Sequence, residues 1–453
     1  MKIESNEFVD EILKKFEKKG FEIYIVGGSV RDVLGKRPVS DWDFTTNATP
    51  EEILKIFPEG FYDNIFGTVG ISHESSEKPY EITTFRREFG YSDSRRPDKV
   101  EWGRSLEEDL SRRDFTINAM ALRQIHDKPS EFDLIDPFNG QKDLDAKLIR
   151  AVGDPNERFG EDALRMMRAT RIAAELGFAI EEETIIAIKA NAGLINKIAK
   201  ERVKLELFKT FASLDPSHGM VLFRETGLMA EILPEMEKTF GVEQKSPGRH
   251  HIYDVGTHSL MSLKNCKSED PLVRFATFIH DSGKPQTYKK SKEGLITFYN
   301  HEVVSANIAE NIADRLRFSN QEKDKFVRLV RWHQFSVGEN QTDSALRRFI
   351  RNVGIENVPD MLELRVGDRL GGGARETSWR LEEFKRRLIE VQKEPFSIRD
   401  LKIDGNDVMK ALQLEPGPKV GEVLEKLFEE VIEKKLPNDV VSLLARLEEF
   451  KTS

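Results

Sequence analysis

The opening residues, MKIESNEFVDEILKKF, put Phe8, Ile12, Leu13 and Phe16 on one helical face, which predicts an amphipathic helix. From residue 22 the period shortens. Glu22-Ile-Tyr-Ile-Val26 is a short apolar run ending at Gly27-Gly28, the pattern of a buried strand entering a turn. Asp41-Trp-Asp-Phe-Thr45 and Glu81-Ile-Thr-Thr-Phe85 alternate as strands do, and Phe115 to Leu122 is apolar and small. Together they predict a mixed α/β unit of about 130 residues. From Arg158 the spacing turns helical. Leu164, Met167, Ile172 and Leu176 recur every three to five residues, and Gly177 offers a C-cap. Helical patterns follow at 185–190, 203–211 and 221–228.

Gln244-Lys-Ser-Pro-Gly248 is rich in turn formers and separates a second helical region, with helices predicted at 257–266, 272–280, 302–315 and 321–332. Gly371-Gly-Gly373 breaks the chain again before helices at 379–392, 405–412 and 419–433. No internal repeat or low-complexity segment interrupts this order. The expected fold class is α+β: an α/β head over 1–150, a helical neck over 151–245, a third domain over 246–370 and a helical tail over 371–453.

A chain of 453 residues fits about three domains. Hydrophobic residues at 38% and charged residues at 33% describe a protein with packed cores. The balance of 70 basic against 79 acidic side chains leaves −9, which excludes a uniformly basic surface but not a local basic patch. The single cysteine, Cys266, excludes an internal disulfide and points to a reducing compartment. No run approaches 18 apolar residues, and the N-terminus lacks the apolar core of a signal peptide. The expectation is a soluble, cytoplasmic protein with no membrane partner.

Candidate chemistry begins at Gly27-Gly-Ser-Val-Arg-Asp32. A glycine turn between strand and helix lets backbone N–H groups approach a phosphate, with Arg31 as a cation; alone, such a turn is most often only a turn. Asp41 and Asp43 then stand at i and i+2 of a strand, facing one side, where both carboxylates can meet one divalent cation. Phosphate grip and metal ligands in succession suit nucleotidyl transfer.

These residues, with Arg112-Arg-Asp-Phe-Thr-Ile-Asn-Ala119, Asp136-Pro-Phe-Asn-Gly-Gln-Lys-Asp143 and Glu161-Asp-Ala-Leu-Arg-Met-Met-Arg-Ala-Thr-Arg171, resemble the class II tRNA nucleotidyltransferases (CCA-adding enzymes) and the related bacterial poly(A) polymerases. Five motifs in family order fall within the first 171 residues. The resemblance implies a polymerase-β-like head in which Asp41 and Asp43 hold Mg²⁺, with Glu81 the chief candidate for a third carboxylate. It implies that Gly28 and Arg31 grip the triphosphate, and that Arg112 or Arg113, with Asp114, positions ribose and phosphate. Asp162 and Arg165 would read the Watson–Crick edge of CTP or ATP, with Arg168 and Arg171 on the nucleotide or nearby phosphates. The spacing of Glu161, Asp162, Arg165, Arg168 and Arg171 predicts one helix face, which an ordinary ion-paired amphipathic helix would also give.

Residues 83–100 are charged and rich in turn formers, and read as a flexible loop in which Arg86, Arg87, Arg95, Arg96 and Lys99 are available to phosphates. In the resembling family a loop here serves addition of the final A. Its presence favours a full CCA-adding or an A-adding enzyme acting on tRNA; the absence of a basic tail weighs against a poly(A) polymerase. A rival outside enzymes is an inactive RNA-binding protein, disfavoured by the intact Asp41, Asp43, Asp162 and Arg165.

Of nine histidines, six lie between 250 and 333. His258, the doublet His280-Asp281 and Asp368 match the order of HD metal-dependent phosphohydrolases, and His301 and His333 resemble the extra ligands of members with a second metal. The resemblance makes 246–370 an HD domain holding a further divalent metal. Imidazole with carboxylate suits a transition metal as well as Mg²⁺. His250 and His251 fall outside the pattern and read as surface residues. By resemblance the tail supports the tRNA elbow, although amphipathic packing explains its Leu and Val spacing equally well. The sequence leaves the oligomeric state open.

Overall fold

The computed structural model describes the chain except residues 4–5, 40, 65–66, 75, 77, 90–98, 103–104, 127, 245–252, 336–341, 392–397, 434 and 452–453. It divides into two compact units, Met1–Phe240 with Asp314–Phe318, and Gly241–Ala313 with Ser319–Ser453. His250 and His251 lie outside the described residues.

In the first unit the N-terminal helix Glu7–Lys18 starts where Asn6 Oδ1 accepts the Val9 N–H at 2.9 Å. Its predicted apolar face is the buried one: Phe8, Val9, Ile12, Leu13 and Phe16. Each such side chain contributes roughly 1.5–3 kcal/mol by leaving water. Nine strands follow: β1 Ile23–Val26, β2 Asp43–Thr46, β3 Phe61–Asn64, β4 Thr68–Ile71, β5 Tyr80–Thr84, β6 Arg86–Phe89, β7 Lys99–Trp102, β8 Ala121–Ile125 and β9 Lys128–Ile135. Seven form one sheet in the order β3-β4-β5-β2-β1-β8-β9. Only β2 and β5 run parallel there; β1, central, is buried along its whole length.

Two segments differ from expectation. Residues 83–100 are not simply a loop, because β6 and β7 pair antiparallel, Arg86 opposite Trp102 and Phe89 opposite Lys99, on either side of 90–98. The charges in Arg-Arg-Glu-Phe and Lys-Val-Glu-Trp hide that alternation. Arg95 and Arg96 lie outside the described residues. In Phe115 to Leu122, the strand begins only at Ala121, and Thr116–Asn118 is a 3-10 turn. Asp114 Oδ1 closes that turn, accepting from Phe115 N at 2.9 Å and Asn118 Nδ2 at 3.1 Å.

Beyond the sheet come the helices Pro155–Glu161, Leu164–Leu176, Glu182–Asn191, Lys200–Ala212 and Pro216–Glu225. Leu164–Leu176 ends at Gly177, which turns left-handed at φ 68° as a C-cap does.

The second unit is built on helices Val255–Asn265, Pro271–Ile279, His301–Arg315, Asn320–Trp332 and Val358–Gly371, each within two residues of its expected start where one was predicted. Phe275, Ala276, Phe278 and Ile279 are fully buried and form its spine. Val255–Asn265 and Val358–Gly371 approach so closely that side chains are excluded between them. A Cβ on Gly371 would lie 2.3 Å from Ser262 Oγ and 2.6 Å from Ser262 N, and one on Gly367 2.8 Å from Ser262 O. A further apolar cluster, including Val408, Leu427, Leu443 and Leu447, packs the C-terminal helices.

Gly371→Ala should therefore overpack this contact and destabilise the second unit by about 1–3 kcal/mol. Urea unfolding followed by tryptophan fluorescence measures it, and an unchanged midpoint would contradict the close approach.

Candidate functional site

β1 and β2 pair with Val26 opposite Asp43, and β2 and β5 with Asp43 opposite Glu81. Three neighbouring strand ends thus gather the Gly27 turn, Asp43 and Glu81. Gly27 has φ 76°, and a Cβ there would lie 3.0 Å from Arg113 Nη1 and 3.4 Å from Asp43 Oδ2. Backbone and space both require glycine. A cavity of about 610 Å³ opens at this point, lined among others by Gly28, Asp43, Glu81, Arg112, Asp162 and Arg165. Burial pushes the Asp43 carboxyl up to about 6; Arg113 opposes the shift and Asp41 adds to it. Asp41 is exposed and accepts from Lys78 Nζ at 2.7 Å. The expected strand pair is therefore not formed as such: β2 begins at Asp43, and Asp41 lies before it, outside the cavity lining. Asp43, a hard oxygen donor with Glu81 beside it, fits a divalent cation.

The arginines are held by named partners. Arg112 Nη2 and Arg113 Nη2 both donate to fully buried Asp109, at 2.5 and 3.2 Å. Burial alone would raise Asp109, but the two guanidinium groups outweigh it and hold the carboxyl below its ordinary value. Both arginines line the cavity. Arg31 is not among the lining residues; it forks onto Asp32 at 3.0 and 2.9 Å and reaches Asn118 Oδ1 at 3.0 Å. Asp114 Oδ2 takes Arg168 Nε at 2.8 Å and Nη2 at 2.6 Å. Burial works against ionisation of Asp114, yet Arg168 and the Asn118 amide hold it well below the usual carboxylate range.

The expected single helix from Glu161 to Arg171 is two. Glu161 ends one helix, Asp162 is extended at φ −140° and ψ 103°, and the next helix begins at Leu164. Asp162 Oδ1 satisfies the Leu164 N–H at 3.0 Å, so the break supplies its own cap. Arg165 Nη1 donates to Glu161 Oε2 at 2.6 Å and Nη2 to Arg112 O at 2.8 Å. Asp162, Arg165 and Arg168 all line the cavity. Arg171 does not, and is bound to Glu206 at 2.7 Å and Glu175 at 2.8 Å. Arg202, Glu206 and Lys209, from helix Lys200–Ala212, form a wall that no local motif announced.

In the second unit Asp281 and Asp368 are the centre of the histidine cluster. His258 Nε2 lies 3.1 Å from Asp368 Oδ1 and 3.4 Å from Asp281 Oδ2. His280 Nε2 lies 3.3 Å from Asp281 Oδ2, and His301 and His333 Nε2 lie 3.2 and 3.6 Å from Asp281 Oδ1. The Nδ1 atoms of His280, His301 and His333 meet backbone carbonyls of Thr277, Phe298 and Val330 at 2.6, 2.8 and 2.7 Å. A carbonyl only accepts, so Nδ1 carries the proton and Nε2 is aimed at the carboxylates, the orientation that metal-binding imidazoles need. Ligand atoms of His258, His280 and Asp368 lie within 4.8 Å of one another, as do those of His280, Asp281 and His333. Burial would lower His280, but Asp281 and Asp368 push it up to about 10. Lys284 Nζ, 2.6 Å from Asp281, adds a second cation. These residues fit a divalent metal, whose charge would take over from the imidazolium proton.

The sheet, the strand-end carboxylates and the arginine-lined cavity define a nucleotidyltransferase with a polymerase-β-like head. A family model for the poly(A) polymerase head domain matches residues 23–150, one described as "Probable RNA and SrmB-binding site of polymerase A" matches 177–240, and one for tRNA nucleotidyltransferase domain 2 matches 289–447. A CCA-adding enzyme of Pediococcus pentosaceus is 34% identical over 434 residues, 96% of this chain and 95% of that one. One from Lactococcus lactis subsp. lactis is 33% identical over 456 residues, 99% and 100%. The crystal structure of the Bacillus stearothermophilus CCA-adding enzyme in complex with CTP superposes with TM-score 0.72 at 27% identity, covering 98% of this chain and 97% of that one. The chain belongs to the CCA-adding enzyme family. Among the described residues no helix is long and apolar enough to cross a membrane.

Asp43 carries a stability cost of its own. Its folded pKa of about 6 exceeds the ordinary 3.8, so the folded state holds the extra proton and loses stability as pH rises between those values. Asp43→Asn should then stabilise the protein by about 1–2 kcal/mol at pH 7.5 in EDTA, and by little at pH 4. Denaturant titrations at the two pH values measure it; equal effects at both would refute the strained carboxylate.

Proposed function

We infer that this chain is a template-independent nucleotidyltransferase that adds C, C and A to the 3′ end of tRNA, using CTP and ATP. The observation that carries this reading is one cavity lined both by a strand-end carboxylate, Asp43, and by a base-sized pair of complementary groups, Asp162 and Arg165. A carboxylate accepts from the amino group that C and A share, and the guanidinium donates to the adjacent ring nitrogen; U and G present the opposite order. Gly27 and Gly28 leave room for the triphosphate beside Arg112 and Arg113. We assign Asp41 and Asp43, with Glu81 beside them, to Mg²⁺. When bound, the metal activates the primer 3′-hydroxyl and neutralises the leaving pyrophosphate. Asp114, through Arg168, fixes the reading helix relative to the carboxylates. The finer division into head, neck, HD domain and tail at 150, 245 and 370, and a cytoplasmic location, belong to the same proposal.

A second activity is favoured by the convergence of His258, His280, Asp281 and Asp368, joined by His301 and His333. We read it as a metal-dependent phosphoesterase site acting on substrates such as 2′,3′-cyclic phosphates. Lys284 and Arg365, which line the 460 Å³ cavity there, supply cations for a phosphoryl group.

Purified protein with tRNA ending at the discriminator base, at C or at CC should extend each to CCA when given CTP and ATP. Extension by A alone, or indefinite A tailing, would replace the reading with an A-adding or poly(A) enzyme. Asp41→Ala should abolish incorporation while leaving tRNA affinity nearly unchanged, because phosphate contacts supply most of that affinity; a gel-shift titration beside the extension assay separates the two. His280→Ala with Asp281→Ala should remove bound transition metal and cyclic-phosphate hydrolysis yet spare CCA addition. Wild-type protein that takes up no metal under any loading condition would sink the second site.

A further inference from the structure

Asp162 sits in an extended break between two helices, where nothing in its own backbone fixes how the carboxylate is turned. Two contacts fix it instead. Oδ1 accepts the Leu164 N–H at 3.0 Å. Arg202, from helix Lys200–Ala212, donates Nη2 to Oδ2 at 2.8 Å and Nη1 to Oδ1 at 3.4 Å. An ionised carboxylate has about four acceptor positions, two on each oxygen. The Leu164 amide and Arg202 Nη1 occupy Oδ1, and Nη2 takes one position on Oδ2. One acceptor on Oδ2 is left for a base.

We propose that Arg202 is a specificity-determining residue: its fork on Asp162 holds that carboxylate turned, so that the remaining Oδ2 acceptor meets a nucleobase amino group and repels a carbonyl oxygen. The proposal rests on the reading of Asp162 and Arg165 as the base-recognising pair. Without the fork, the carboxylate can rotate about its side-chain bonds, so that it no longer holds an acceptor against the amino group of C or A or sets its charge against O4 of U or O6 of G. The loss therefore falls on discrimination and not equally on every nucleotide. Arg202 is suited to this role because it is not needed for packing. Its side chain is 28% exposed and lines the cavity, whereas Val203, Leu207 and Phe211 bury the helix. Arg168 and Arg165 also face this region, but Arg168 is bound to Asp114 and Arg165 to Glu161 and the Arg112 carbonyl. Neither supplies a fork to Asp162.

The test uses the full chain with tRNA ending at C or CC and each of the four nucleoside triphosphates alone. For Arg202→Gln, the CTP-over-UTP and ATP-over-GTP ratios of kcat/KM should fall at least tenfold, with KM for CTP raised more than kcat is lowered. Arg202→Lys, which keeps the cation but not the fork, should recover part of the ratio. Asp162→Ala and the double variant complete the cycle. If Arg202 acts through Asp162, adding Arg202→Gln to Asp162→Ala should change selectivity no further. Arg202→Gln with all four nucleotides slowed by one common factor, or with unchanged ratios, overturns the proposal. An additive loss in the double variant overturns it as well. If Asp162→Ala itself leaves selectivity intact, the base-reading assignment fails, an outcome distinct from the failure of Arg202 alone. Melting curves of each variant identify a folding defect, in which case the Lys variant carries the comparison.

Discussion

The ion pair between buried Asp114 and partly exposed Arg168 is the contact on which the first unit's geometry depends. Asp114 belongs to the turn before β8, and Arg168 to the helix that follows the Asp162 break. The pair therefore sets how far the reading groups stand from the strand-end carboxylates. It does not stand alone: Asn118 joins Asp114 to Arg31, and Arg168 feels the charge of Glu206, which also receives Arg171. Such a chain is stable only when its members are paired, and removing Arg168 would leave the buried Asp114 carboxylate without its cation. Arg31 and Arg171, which motif reasoning sends to the nucleotide, are in this structure part of the frame that holds Arg168.

The same economy of pairing appears around Asp109. It is fully buried and carries Arg112 and Arg113 together, so two cations are presented to the cavity at fixed positions without being drawn onto Asp43. The Arg112 carbonyl in turn takes Arg165. Strand-end turn, short helix and reading helix are thus cross-tied by side chain to backbone as well as by charge, which restricts the slack that a template-free reader of base edges can tolerate.

Much of this was legible in the chain. Asp43 on a strand after Gly27-Gly28, and the apolar face of the first helix, follow from spacing; Asp41 does not share that strand, because β2 starts only at Asp43. Glu81 was the chief candidate for a third carboxylate and does lie opposite Asp43, although the parallel pairing of β2 and β5 that puts it there is set by sheet order and not by any local signal. The break at Asp162 was missed because Glu-Asp-Ala-Leu carries no glycine or proline; the cause is the side chain of Asp162 capping Leu164, which periodicity does not register. Arg202 and Glu206 lie some forty residues beyond the motif they complete, and only folding brings them there. In the second unit the order of histidines and aspartates was readable, whereas Gly371, which with Gly367 lets two helices close on each other, read only as a chain breaker.

One contrast explains why Asp43, half-buried at its strand end, fits a cation binder where the buried acids of the first unit do not. Asp109 has two arginines and Asp114 has Arg168, and both are held below their ordinary pKa despite burial. Asp43 has Arg113 nearby, but that guanidinium is already spent on Asp109, and Asp41 adds repulsion; its carboxyl rises instead. A protein interior that satisfies its other acids and leaves this one undercompensated stores an electrostatic deficit at the strand end. Under the proposed function, a divalent ion arriving with a nucleoside triphosphate would fill that deficit, and Asp41, held by the exposed Lys78, would supply a second carboxylate. Affinity for the metal would then be coupled to substrate phosphate, because the strand end itself offers few carboxylates and triphosphate oxygens would add to the ligand set.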